Sequence, residues 1–101
     1  MTMTQGMILD CLRQQFGYLK TQFHVKKIAL FGSFSAGTAT ITSDVDLVIE
    51  FEQPIGLRFV ELCDYLESCL GKKVDVLTMT GVETMRNRSV AENILRSLIY
   101  V

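Results

Sequence analysis

A chain of 101 residues with 49% hydrophobic and 21% charged side chains fits one domain, 1–101, with enough apolar material for a real core, which excludes intrinsic disorder. Ten Lys and Arg against eleven Asp and Glu give a formal charge of -1, so there is no clustered cationic excess to grip a long stretch of nucleic acid or an anionic membrane. The three cysteines lack CxxC spacing and have one histidine to help them, and no apolar run approaches the ~20 residues of a bilayer span, so the expectation is a cytoplasmic protein with reduced core thiols rather than a disulfide scaffold, a zinc module or a membrane protein.

In chain order, Leu9, Leu12, Phe16, Leu19 and Phe23 step by three and four between Gln5 and Phe23 and predict a first helix. Lys27 to Phe31 holds a short, uniformly apolar run closed by Gly32 and reads as a buried strand. Gly32 to Thr42 is small and hydroxylated, a loop with room for one helical turn after Ser33. From Asp44 to Phe51 the pattern alternates, with Val45, Leu47, Ile49 and Phe51 on one face and Asp44, Asp46, Val48 and Glu50 on the other, so a second strand is predicted. After the turn marked by Pro54 and Gly56, Phe59, Cys63, Leu66 and Leu70 recur at helical spacing until Gly71 offers a left-handed cap. Lys73 to Thr78 reads as a third strand, and a strand, helix, strand unit of this length implies parallel pairing. Thr80 to Glu83 and Ser89 to Glu92 match capping boxes, which predicts a final helix through Ile94, Leu95 and Leu98.

Three acids carry the chemistry. Asp44 and Asp46 lie two apart on one strand and therefore share a face, about 6.6 Å apart at Cα. If the third strand pairs beside the second, Asp75 joins them while Val74 and Val76 face the core. Bare carboxylates ~4 Å apart repel by roughly 4 kcal/mol at an effective dielectric near 20, so a cation should neutralise them. An all-oxygen donor set suits Mg²⁺ or Mn²⁺, and two such ions would clamp the attacking and leaving oxygens of a displacement at phosphorus. Upstream, Gly32 permits close backbone approach and Ser33 supplies a hydroxyl and an amide, as a triphosphate would need. GSFSAGTAT lacks the GK[ST] ending of a Walker A loop, which disfavours kinase-like phosphate binding.

Gly32-Ser33, then Gly37, then Ser43-Asp44-Val45-Asp46-Leu47, with Val74-Asp75-Val76 beyond, together resemble the minimal nucleotidyltransferases of the DNA polymerase beta superfamily. The resemblance implies an α/β (α+β) fold, a small mixed sheet of about three strands with helices packed on it in the order α-β-(α)-β-α-β-α. It implies ATP as donor and two Mg²⁺ ions, with Gly32, Ser33, Gly37 and Ser43 at the nucleotide, Asp44 and Asp46 on both ions, and Asp75 on the catalytic ion and helping to activate an acceptor hydroxyl. Stand-alone members of this family are similar to antitoxins that transfer AMP to a tyrosine of a small helical HEPN toxin, so such a partner, possessing the acceptor, is expected to form a complex with this chain. Where many members carry arginine before the second loop glycine, this chain has Ala36. Two expectations follow: that Lys26, Lys27 or Arg58 stands in for it, or that the chain is a weak or inactive enzyme that neutralises its partner by binding alone.

Among the remaining residues, Glu50 reads as an exposed charge, His24 as a turn residue, and Cys11, Cys63 and Cys69 as packing groups. Lys26, Lys27, Lys72 and Lys73 read as solubilising charges at strand starts. The apolar end Leu98, Ile99, Tyr100 and Val101 is left between docking on the core and a partner surface.

Overall fold

The computed structural model describes residues 3–40 and 42–101. The chain runs α1 (Gln5–Phe23), β1 (Val25–Phe31), α2 (Gly32–Ala36), β2 (Val45–Phe51), α3 (Arg58–Leu70), β3 (Val74–Thr78), α4 (Met79–Glu83), α5 (Arg88–Ser97) and β4 (Ile99–Tyr100). Met1, Thr2 and Ile41 lie outside the described residues.

Thr4 starts α1 by accepting the Met7 amide on its side chain, and His24 ends it in the left-handed conformation, φ 55°, with its N–H on the Leu19 carbonyl. Of the predicted stripe, Leu9, Leu12, Leu19 and Phe23 are buried together with Ile8, while Phe16 is only partly covered at its edge. Gly71 closes α3 at φ 67°, as the sequence implied. The starts of the last two helices fall earlier than their capping boxes. Thr78, not Thr80, caps α4 by accepting the Gly81 amide, and Asn87, not Ser89, caps α5 by accepting the Val90 amide. Both are short polar side chains in extended backbone immediately before the first helical residue, which is what a cap requires whatever stands three positions later.

The four strands form one mixed sheet in the order β3-β2-β1-β4. β1 and β2 are antiparallel, with Leu30 opposite Leu47 and Phe31 opposite Asp46. β2 and β3 are parallel, with Asp46 opposite Asp75 and Val48 opposite Leu77, because α3 supplies the long crossover that parallel pairing needs. The fourth strand corrects the expected three. Ile99 and Tyr100 pair antiparallel with Leu30 and Ala29, and the Val101 amide reaches the Ile28 carbonyl at 3.0 Å. The helical pattern therefore stops at Ser97 and Leu98 leaves the helix, so the apolar end docks on the sheet, Ile99 and Val101 against the core and Tyr100 half exposed.

Alternation sorts the core into two layers. Ile28, Leu30, Val45, Leu47 and Ile49 pack with α1 and α3 through Leu12, Leu19, Leu62 and Leu66, all at most 1% exposed. On the other face Val48 meets Val82 of α4 and Ala91 of α5, joined by Phe31, Leu77 and Ile94. Because residues two apart share a face, Asp44, Asp46 and Asp75 belong to the α4/α5 side, beyond the end of the small apolar cluster that those short helices cover.

Candidate active site

The carboxylates stand where β1 ends and β2 and β3 begin. Asp44 is exposed one residue before β2, Asp46 is half-buried at its second position, and Asp75 is exposed at the second position of β3. Register puts Asp46 beside Asp75. Burial pushes the Asp46 carboxyl above the usual carboxylate range, and the negative charges of Asp75 and then Asp44 push it further the same way. The three acids therefore share one electrostatic neighbourhood.

Gly32 meets this group from the other strand. It begins α2 at φ 72°, and a Cβ built on it would lie 2.2 Å from Asp46 Oδ2, 3.0 Å from its Cγ and 3.2 Å from its Cβ. Only glycine lets the turn and the carboxylate occupy adjoining space. Ser33 follows, half-buried, and its carbonyl accepts the amides of Gly37 and Thr38, which closes the helical turn that the sequence allowed for. Gly37 caps the turn at φ 76° with nothing within 4 Å of its missing Cβ. Ser43 ties the far end of the loop, its Oγ accepting the Thr40 amide at 2.8 Å while its own amide reaches the Thr40 carbonyl.

Among the described residues no three His, Cys, Asp or Glu side chains converge as a ready-made metal cage. Uncompensated carboxylates repel, and Asp44 and Asp75 extend into solvent. The donor set nonetheless fits a hard divalent cation: three carboxylates, no sulfur or imidazole, and a central acid whose charge the neighbouring charges disfavour until a cation offsets them. Mg²⁺ is held by one or two carboxylates plus water and phosphate rather than by a closed protein cage, so open ligands match its habits.

The cations are arranged differently from the expectation. Lys26 and Lys27 begin β1 and Arg58 begins α3, at the end of the sheet away from Asp46. Lys27 Nζ stands over the Tyr100 ring at 5.9 Å, and Arg58 donates to the Gln22 carbonyl and lies over the Phe23 ring at 4.8 Å. Four strand steps separate Lys27 from Phe31, roughly 13 Å, so none of the three replaces a loop arginine at the acids. Lys72 and Lys73 are at the right end: Lys72 Nζ donates to the Ser43 carbonyl at 3.3 Å and lies 5.7 Å from the Phe34 ring, and the Lys73 carbonyl accepts the Val45 amide. The run of Lys at the start of a strand gave no sign of this, because it depends on the parallel register of β3 with β2. Gln5 was likewise invisible in the sequence, since its partners, the Phe34 and Ser35 carbonyls, are 29 and 30 positions away.

Glu50 shares the Asp46 face but stands at the opposite end of β2, where with Glu52, Thr78 and Thr80 it lines a hollow of about 360 Å³. Val48 and the Val82 packed on it lie between that hollow and the acids. Burial raises the Cys11 and Cys63 thiols, so neither is poised as a thiolate nucleophile.

Residues 12–101 match the nucleotidyltransferase domain family, to which this chain belongs. Within it, the chain is 38% identical over 84 residues to protein adenylyltransferase MntA of Thermococcus cleftensis, covering 82% of this chain and 81% of that one. A solved structure described as a minimal nucleotidyltransferase superposes with a TM-score of 0.72 at 28% identity, covering 96% of this chain and 95% of the other. The fold is also that of an MNT antitoxin solved with a tri-AMPylated Shewanella oneidensis HEPN toxin, TM-score 0.55 at 18% identity over 95% of this chain and 66% of that one.

Proposed function

We propose that this chain transfers AMP from ATP to a hydroxyl of a protein acceptor, and that the acceptor is a HEPN-type helical toxin that it silences as an antitoxin in the cytoplasm. The observation that carries the reading is the close approach of Gly32 to Asp46, which pairs with Asp75 on the next strand, so that the Gly-Ser turn stands against strand carboxylates. Gly32 and Ser33 cradle the donor phosphates, and Gly37 and Ser43 fix the two ends of that loop. Asp44 and Asp46 would hold two Mg²⁺ or Mn²⁺ ions, with Asp75 on one of them. Bound metal would neutralise the phosphate oxygens and the developing charge on the leaving group. The acceptor oxygen attacks the α-phosphorus as the bond to the β-phosphate breaks, pyrophosphate leaves with the electron pair, and the acceptor proton passes to the Asp75 carboxylate. The HEPN partner rests on likeness to the MNT antitoxin and to MntA, and no helix among the described residues is long and apolar enough to cross a membrane.

The test is incubation of the purified chain with a purified HEPN-type protein, α-labelled ATP and Mg²⁺. Label on the partner, lost with EDTA and with Asp44→Asn, is the expected result; transfer that survives Asp44→Asn refutes the reading. Ala36, exposed at the end of α2 where the family resemblance leads one to expect arginine, favours a second reading in which the chain neutralises by coverage. That reading predicts silencing by wild type and Asp46→Asn alike, with no label.

A further inference from the structure

A helix of five residues cannot hold its own shape in water, because it makes too few internal bonds to offset the cost of nucleation. The orientation of α2, and hence of Gly32 and Ser33, must be set from outside. Phe34, 3% exposed, anchors the turn in the core through one side chain. The amides beyond the turn, Gly37 and Thr38, both return to the Ser33 carbonyl. The next two carbonyls, Phe34 and Ser35, are met by one side chain: Gln5 Nε2 donates to them at 2.9 and 3.2 Å. A primary amide has two hydrogens on one nitrogen, so it satisfies both carbonyls at once. From the other side of the sheet, the Ser35 hydroxyl donates to the Ser97 carbonyl at the end of α5.

We infer that Gln5 is a positioning residue for nucleotide binding, acting from the first position of α1 as a remote C-cap that fixes the rotation of the Gly32–Ala36 turn. α1 is itself held by Ile8, Leu9 and Leu12 in the core, so its side chain transmits a rigid frame to a segment that has none. Without that pair of hydrogen bonds the α1 side of the turn loses its tether while Phe34 and the Ser35 hydroxyl bond to Ser97 remain, so the spacing between Gly32 and the Asp46 carboxylate, already at contact, is set less tightly. The inference rests on reading that turn as the phosphate cradle.

Two variants test it, Gln5→Glu, which opposes a carboxylate to two carbonyl oxygens, and Gln5→Met, which keeps the length and removes the donors. The control is Arg13→Ala, which removes an exposed ion pair with Asp10 further along α1 and leaves the Thr4 cap and α2 untouched. Two readouts are taken on each: calorimetric binding of AMP-PNP with Mg²⁺, and hydrogen exchange of the amides of residues 33–38 in the nucleotide-free protein. The Gln5 variants should bind AMP-PNP about tenfold more weakly, which is about 1.4 kcal/mol, and exchange faster across 33–38, while Arg13→Ala leaves both unchanged. Wild-type affinity and exchange in the Gln5 variants, or an equal loss in Arg13→Ala, overturns the inference. If the wild-type chain binds no AMP-PNP, the phosphate-cradle reading falls, and the exchange comparison alone still decides whether Gln5 fixes the turn.

Discussion

Replacing Gly32 by alanine perturbs backbone and carboxylate together, and the two effects can be separated. Gly32 and Gly71 have nearly the same backbone, φ 72° and 67°, but a Cβ at position 71 meets nothing within 4 Å, whereas at 32 it falls 2.2 Å from Asp46 Oδ2. Both substitutions place an L side chain in the left-handed region at about 1–2 kcal/mol, part of which is recovered by stiffening the unfolded chain. For Gly71→Ala the net loss of about 1 kcal/mol lowers Tm by roughly 4–8 °C for a domain of this size. Gly32→Ala must also push the Asp46 carboxylate aside by about an ångström, and because Cγ and Cβ lie at 3.0 and 3.2 Å, swinging the oxygen tip does not suffice. Overpacking of that kind adds about 1–3 kcal/mol, so Gly32→Ala should lose roughly twice as much Tm as Gly71→Ala or more. A ligand misplaced by about 1 Å costs on the order of a hundredfold in rate, and AMP transfer should fall by that factor in Gly32→Ala while Gly71→Ala transfers as wild type. Thermal melts followed by circular dichroism and transfer from α-labelled ATP read the two quantities. Equal Tm losses, or a Gly32→Ala enzyme as fast as Gly71→Ala, would refute the argument that position 32 is glycine because Asp46 needs the space.

Other perturbations follow from the same geometry. Asp46→Asn in EDTA at neutral pH removes a charge that burial and two like charges disfavour; since the group is partly solvated, the gain is discounted to a few tenths up to about 1 kcal/mol, so Tm rises by a few degrees as transfer disappears. An unchanged or lower Tm would show that the acids do not repel. Asp75→Asn, at an exposed position, should leave stability within about 0.5 kcal/mol while abolishing transfer, and retained transfer would remove Asp75 from the chemistry. Leu47→Ala, next to Asp46 on β2 and fully buried, should cost about 2–5 kcal/mol in a denaturant titration. Because burial raises the Cys63 thiol, Cys63→Ala should transfer at the wild-type rate, and a large loss would mean a sulfur role that its environment argues against.

The acids were legible because their signal is local. Asp44 and Asp46 share a face by the period of a strand, and KVDVLT fixed which way Asp75 would point once β3 lay beside β2. The helix of α1 was readable for the same reason, a single periodicity carried over five turns. What escaped detection depends on long-range register. β4 is two residues long and owes its existence to the exposed edge of β1 at Ala29 and Leu30, so no alternation could announce it. The caps at Thr78 and Asn87 compete with neighbouring residues of similar type, and the winner is decided by where the preceding strand or turn lets the backbone enter the helix. Arg58 looked available for phosphate, yet the fold spends it on the end of α1; Lys72, which looked like a surface charge, is carried by the parallel pairing to the Ser43 carbonyl.

The central claim concerns where a divalent ion sits when nucleotide is bound. Crystals of the chain grown with AMP-PNP and Mn²⁺, with anomalous diffraction recorded to locate manganese, test it most directly. Manganese bound to the carboxylates of Asp44, Asp46 and Asp75, with phosphates lying on the Gly32–Ser33 turn, is the result that this account predicts. Nucleotide seated elsewhere, in the hollow beside Glu50 and Thr78 for example, or manganese that leaves Asp75 uncoordinated and remote, would contradict it.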